Sequence, residues 1–100
     1  MPNTGIEYRL SPKARDDMEA VWLYSLAQWG AQQTERYIDD LTETFGFLAE
    51  SPKAGTACEN IRAGYRKYPV IRHVIYYRET NYGMEVMRVL HDRMLASRRF

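Results

Sequence analysis

Near the C-terminus, "VMRVLHDRM" (residues 86–94) sets His91, Asp92 and Arg93 side by side at the end of an apolar run. An imidazole can exchange a proton near neutral pH, a carboxylate can orient it, and a guanidinium can stabilise developing negative charge. That trio at a strand end is the raw material of a proton-transfer site. It equally suits the rim of a surface that only binds. The rest of the chain adds little to a catalytic set. Cys58, His73 and His91 lack metal-site spacing, "AGT" and "AGY" are isolated turns rather than a phosphate loop, and no serine triad has a supporting signature. No cofactor is expected.

Charge points toward binding. The net charge of +1 divides unevenly: residues 1–60 carry five basic and ten acidic groups, whereas residues 61–100 carry nine basic and three acidic ones. Eight of those nine are arginine, the cation suited to carboxylate and phosphate contacts. Such a half attracts an acidic partner or a polyanion. The near-neutral total and the acidic first half argue against strong direct nucleic-acid binding.

One hundred residues suffice for one domain, residues 1–100, with a single modest core. No apolar run approaches the ~18 residues of a membrane helix. "MPNTGIEYRL" has no leader-like pattern, and a lone cysteine fits a reducing compartment, so a cytoplasmic protein without membrane contact is expected.

The elements that must hold these groups read clearly. "IEYRL" alternates as a first strand. Ser11 caps a helix whose first position suits Pro12, and Ala14, Met18, Val21, Trp22, Ser25, Leu26 and Trp29 recur at helical spacing up to a glycine stop at Gly30. A second helix carries Tyr37, Ile38, Leu41, Phe45 and Leu48 and ends before Pro52. The Trp22 and Trp29 pair reads as core. Then "NIRAGYRKY", "IRHVIYYR" and "MEVMRVLH" alternate as strands, with Pro69 between the first two and "ETNYG" turning between the last two. The order β-α-α-β-β-β predicts an α+β fold, a mostly antiparallel sheet with a helical hairpin on one face.

Alternation sorts the faces. Ile71, His73, Ile75 and Tyr77 belong inward, as do Met87, Val89 and His91, because Arg88 must escape the core. Outward lie Arg62, Arg66, Arg72, Arg78 and Arg88, interleaved with Val74, Tyr76, Met84, Val86 and Leu90. A face so cationic and apolar is poorly suited to stay bare. Both histidines fall inward, as packing residues, which leaves Tyr76 and Glu79 as poor acid–base candidates among arginines that cannot be deprotonated.

Taken in order, "YRLSPKARDDMEAVWLYSLAQWG", "ERYIDDL", "SPKAG", "YPVIRHVIYYRE" and "MEVMRVLHDRM" resemble, nearly end to end, the ParE branch of the ParE/RelE superfamily of toxin–antitoxin toxins. The resemblance implies a growth-inhibiting toxin that acts on DNA gyrase by binding, is not an enzyme, and is neutralised by an acidic, partly disordered antitoxin segment. Within that reading, the face sorting and the charge count place the antitoxin on Arg72, Val74, Tyr76, Arg78, Val86, Arg88 and Leu90, and gyrase on the cationic tail, Arg93, Arg98, Arg99 and Phe100. The alternative is the RelE branch, which shares the fold and cuts messenger RNA on the ribosome. Arg62, Arg66, Lys67, Arg78 and Arg93 can imitate its cationic part, but "DRMLASRRF" offers no tyrosine, glutamate or lysine for its acid–base part, and only His91 could substitute.

Overall fold

The computed structural model describes residues 6–94 and 96–100; the start of the chain, read above as no leader, falls largely outside them. Strand β1 (Glu7–Leu10) leads into helices α1 (Pro12–Trp29) and α2 (Ala31–Glu50). Four strands follow: β2 (Thr56–Ala57), β3 (Tyr65–Val70), β4 (His73–Thr80) and β5 (Gly83–His91). They form one sheet in the order β1-β5-β4-β3-β2, antiparallel throughout except that β1 lies parallel to β5. The fold is therefore α+β, as expected, with the small strand β2 added. Among the described residues no helix is long and apolar enough to cross a membrane.

Local signals set the helix ends. The Ser11 hydroxyl accepts the Ala14 N–H at 3.1 Å and donates to the Met87 carbonyl at 2.9 Å, so one side chain caps α1 and fixes it to β5. Gly30, at φ 84°, turns the chain between the helices where a side chain would be strained. The hairpin packs Ala14, Val21, Tyr37, Leu41, Phe45 and Leu48 against Ile75, Tyr77, Met84, Val86 and Val89 of the sheet.

Three strand expectations need correction. The third strand begins at Tyr65 rather than Asn60, because Gly64 at φ 83° breaks the extended run. Pro69 lies within β3, beyond the end of β2, where its missing N–H takes no ladder bond away. The turn is instead Ile71–Arg72, and Ile71, expected inward, is exposed there at a strained φ of 53°. The Tyr37 hydroxyl holds that turn, accepting the Arg72 N–H at 3.3 Å and lying 3.0 Å from the Val70 carbonyl.

The third correction concerns faces. Tyr76 pairs with Arg88 but Tyr77 pairs with Val86, so Met87 is an extra residue bulged out of β5. The bulge shifts the alternation. Met84 and Val86 point into the core before it, while Arg88 and Leu90 point out after it. Met87, expected inward, instead lines a surface cleft with Arg62, Tyr65 and Phe100.

Candidate functional site

The outer sheet face is not open. Tyr76 (8 % exposed), Leu90 (2 %) and Cys58 form a second apolar cluster, covered by Ile61, Tyr65, Val74, Ala96 and Phe100. The Phe100 ring stands edge-on to Tyr76 and Tyr65, with centroids 5.2 and 5.7 Å away. That geometry favours aromatic pairs, so the chain's own tail closes the face. Burial raises the Tyr76 hydroxyl and the Cys58 thiol above their ordinary pKa values, making both poorer proton donors.

The seven residues expected to meet an antitoxin are thus divided. Val86 is fully buried in the inner core and belongs to no surface. Tyr76 and Leu90 lie under the tail, and Val74 is half-buried beside them. Arg72 and Arg78 are exposed: Arg72 sits 5.9 Å from the Trp29 ring centroid, and Arg78 pairs with Glu85 at 2.6 Å. Arg88 is committed within the molecule. Its Nε and Nη2 donate to the two Asp17 carboxylate oxygens at 2.7 and 2.8 Å, and its Nη1 donates to the Arg99 carbonyl. The Asp17 bond raises the Arg88 pKa further. Asp17 also accepts the Val89 N–H at 2.9 Å, capping the edge of β5 beyond the end of β1.

Asp17 was not singled out by the sequence reading, although a signal existed. It lies three residues after Ala14 and four before Val21, on the buried stripe of α1, where a lone carboxylate needs a cation.

Between α1 and the end of β5 runs a groove of about 490 Å³, with Tyr24, His73, His91, Met94 and Arg99 among its lining residues. Leu23, Tyr24 and Leu26 leave large apolar side chains exposed on α1. Arg93, Arg98 and Arg99 are exposed, and no carboxylate pairs with them among the described residues. With His91 and Met94 they line an adjoining cleft of about 430 Å³. Of the expected gyrase contacts, the three arginines are therefore presented outward, whereas Phe100 is docked.

The histidines differ. His73 is buried, with Nδ1 2.6 Å from the Tyr37 hydroxyl. Burial first, and His91 second, push its pKa down to about 4, so it is neutral at pH 7. His91 is half-buried; its Nδ1 lies 3.0 Å from the Asp92 carboxylate and accepts the Arg93 N–H at 3.2 Å. Among the described residues, no three histidine, cysteine or acidic side chains are grouped to hold a metal.

Residues 8–96 match the family described as "ParE toxin of type II toxin-antitoxin system, parDE". The chain is 42% identical over 89 residues to Toxin ParE1 of Caulobacter vibrioides, covering 89% of this chain and 92% of that one. It is 40% identical over 92 residues to Toxin ParE1 of Mycobacterium tuberculosis H37Rv, covering 91% and 94%. A solved structure, "Chromosomal ParDE TA system from P. aeruginosa", shares the fold at a TM-score of 0.73 and 14% identity, covering 89% of this chain and 98% of that one.

Proposed function

The chain belongs to the ParE toxin family of type II toxin–antitoxin systems, and from that premise we propose that it arrests growth by binding DNA gyrase, without a reaction of its own. One observation carries the reading. Among the described residues the outward arginines of the tail pair with no carboxylate, and of the side chains near them His73 is buried and neutral and Tyr76 is raised by burial, so that His91 alone stands beside them as an acid–base group. Arginines so placed can clamp an anionic or acidic surface but cannot act as a base.

The antitoxin in this reading is an acidic, partly apolar segment. It docks on the α1 groove, where Tyr24 and Met94 offer apolar contact, with Leu23 exposed on the same helix, and Arg93 of the adjoining cleft supplies the opposite charge. Arg72, Val74 and Arg78 stay in the proposed contact as its flank. In supercoiling and DNA-cleavage assays, purified gyrase should be inhibited by this chain and relieved by its antitoxin. Arg98→Ala with Arg99→Ala should weaken inhibition about tenfold or more while leaving antitoxin affinity nearly intact. Undiminished inhibition by that double variant would remove the tail from the target contact.

One observation favours a second reading: His91 shares its cleft with Arg93, Arg98 and Arg99. A ribosome-dependent messenger-RNA nuclease of the RelE type would use that imidazole. His91→Ala separates the two, because it abolishes nuclease action but leaves a binding inhibitor's effect on gyrase largely in place.

A further inference from the structure

Three distant parts of the chain, α1, β5 and the tail, are joined through one carboxylate–guanidinium pair. Asp17, on α1, takes the Val89 N–H of β5 and two N–H groups of Arg88, and Arg88 spends a further N–H on the carbonyl of Arg99. The Asp17 and Arg88 side chains are only 13 % and 15 % exposed, so water competes weakly for the pair. One residue further on, Phe100 is seated on Tyr65 and Tyr76. A polar anchor and an apolar anchor therefore fix the end of the chain, while the side chains of Arg98 and Arg99 stand exposed.

We propose that Asp17 is a positioning residue for the arginine tail: through Arg88 it fixes the Arg99 carbonyl, so that Arg98 and Arg99 are presented in a set place before any target arrives. The proposal rests on the reading that these arginines meet the target. Its physical content is preorganisation. Each backbone residue that need not be ordered on contact is worth on the order of tenfold in affinity, and guanidinium groups recognise carboxylate or phosphate only when correctly oriented. A tail hanging free would keep the same charges and lose that advantage. Asp17 is far from the tail in sequence and presents no free charge of its own to a partner, so its effect must pass through Arg88.

The test uses the full chain and its antitoxin. Asp17→Asn keeps the shape and an acceptor for the Val89 N–H but loses the charge that holds Arg88. Asp17→Glu keeps the charge. Three quantities are read: the rate at which a carboxypeptidase removes residues 98–100, the half-inhibitory concentration against gyrase, and the antitoxin titration endpoint, which counts folded molecules. Asp17→Asn should expose the tail to digestion about tenfold faster and raise the half-inhibitory concentration by a similar factor. Maximal inhibition and the titration endpoint should not change, and Asp17→Glu should return the digestion rate and the half-inhibitory concentration toward the parent. A local structural role alone would be satisfied by asparagine. Should Asp17→Asn fail to fold, Phe100→Ala releases the other anchor without entering the inner core, and it too must free the tail.

A tail equally protected in Asp17→Asn, or a freed tail with an unmoved half-inhibitory concentration, overturns the proposal. If the parent chain leaves gyrase untouched while Asp17→Asn still frees the tail, the gyrase reading has failed and the tether has not.

Discussion

The two faces of the sheet are closed by very different means. The inner face lies under helices of 18 and 20 residues, and Phe45, Leu48, Ile75, Tyr77, Met84 and Val86 there are almost wholly removed from water. The outer face is closed by the loop preceding β3 and by a short tail, with Phe100 only half-buried as its lid. Apolar burial supplies stability roughly in proportion to area, so the inner cluster holds the fold and the outer cluster is easier to open. The cations follow the same division. Arg88, under the outer face, is tied to α1, whereas Arg93, Arg98 and Arg99 on the covering segment remain available. Most of the burial thus lies on the inner side of the sheet, and the tail arginines left without a carboxylate partner among the described residues lie on the segment that covers the outer side.

The largest effect that can break this comparison comes from truncating one aromatic on each side. Phe45→Ala should destabilise the chain by about 3–5 kcal/mol, since its ring is 1 % exposed and the packed hairpin can collapse only partly. Phe100→Ala should cost about 1 kcal/mol, because its ring keeps one side in water. Denaturant unfolding of both variants gives the contrast directly. Equal losses would mean that the outer cluster is as much the core as the inner one.

How much of this was legible follows from the range of the interactions. Ser11, Pro12 and Gly30 mark the helix boundaries through bonds and dihedral angles within a few residues, so the hairpin was readable. The succession of the three long strands after the helices was readable too, because alternation is local, whereas the two-residue β2 was not. The single bulge at Met87 was not, as nothing in "MEVMRVLH" marks where one extra residue sits, and a strict alternation counted back from Arg88 turns Met84 and Val86 outward. The tail was hidden for another reason. Phe100 meets Tyr76 and Tyr65 only after the sheet exists, and Arg88 meets Asp17 across 71 residues. The site lay in such long-range pairings, so the cationic character of the C-terminal segment was visible while its division into bound and available arginines was not.

The inner face also predicts a pH dependence of intermediate size. His73 has a pKa of about 4 in the folded chain, below the ordinary 6.5, chiefly because it is buried. The unfolded chain therefore binds a proton more readily across that interval, and stability falls with acidification. The contribution is fully present above about pH 6.5 and is lost progressively toward pH 4, by about 3 kcal/mol in total. Since the ring is held by the Tyr37 hydroxyl, His73→Gln keeps a polar partner there and should flatten that slope. Thermal unfolding of both chains between pH 4 and 7 checks it. An unchanged slope in the variant would mean that the effect does not come from His73.

The smallest predicted change sharpens the comparison from the outer side. Arg78 and Glu85 face each other across β4 and β5 at 2.6 Å, yet the arginine side chain is 47 % exposed. Solvent screens such a pair, so Arg78→Ala should alter stability by under about 1 kcal/mol, and added salt should shrink the difference. Arg88→Ala makes the useful control, because its partner Asp17 would be left largely buried and unpaired, a loss of about 3 kcal/mol or more. If Arg78→Ala nevertheless weakened antitoxin binding well beyond its effect on stability, the exposed arginine would be acting as a contact. If the two variants proved equally destabilising, the distinction between arginines held within the fold and arginines left for a partner would not stand.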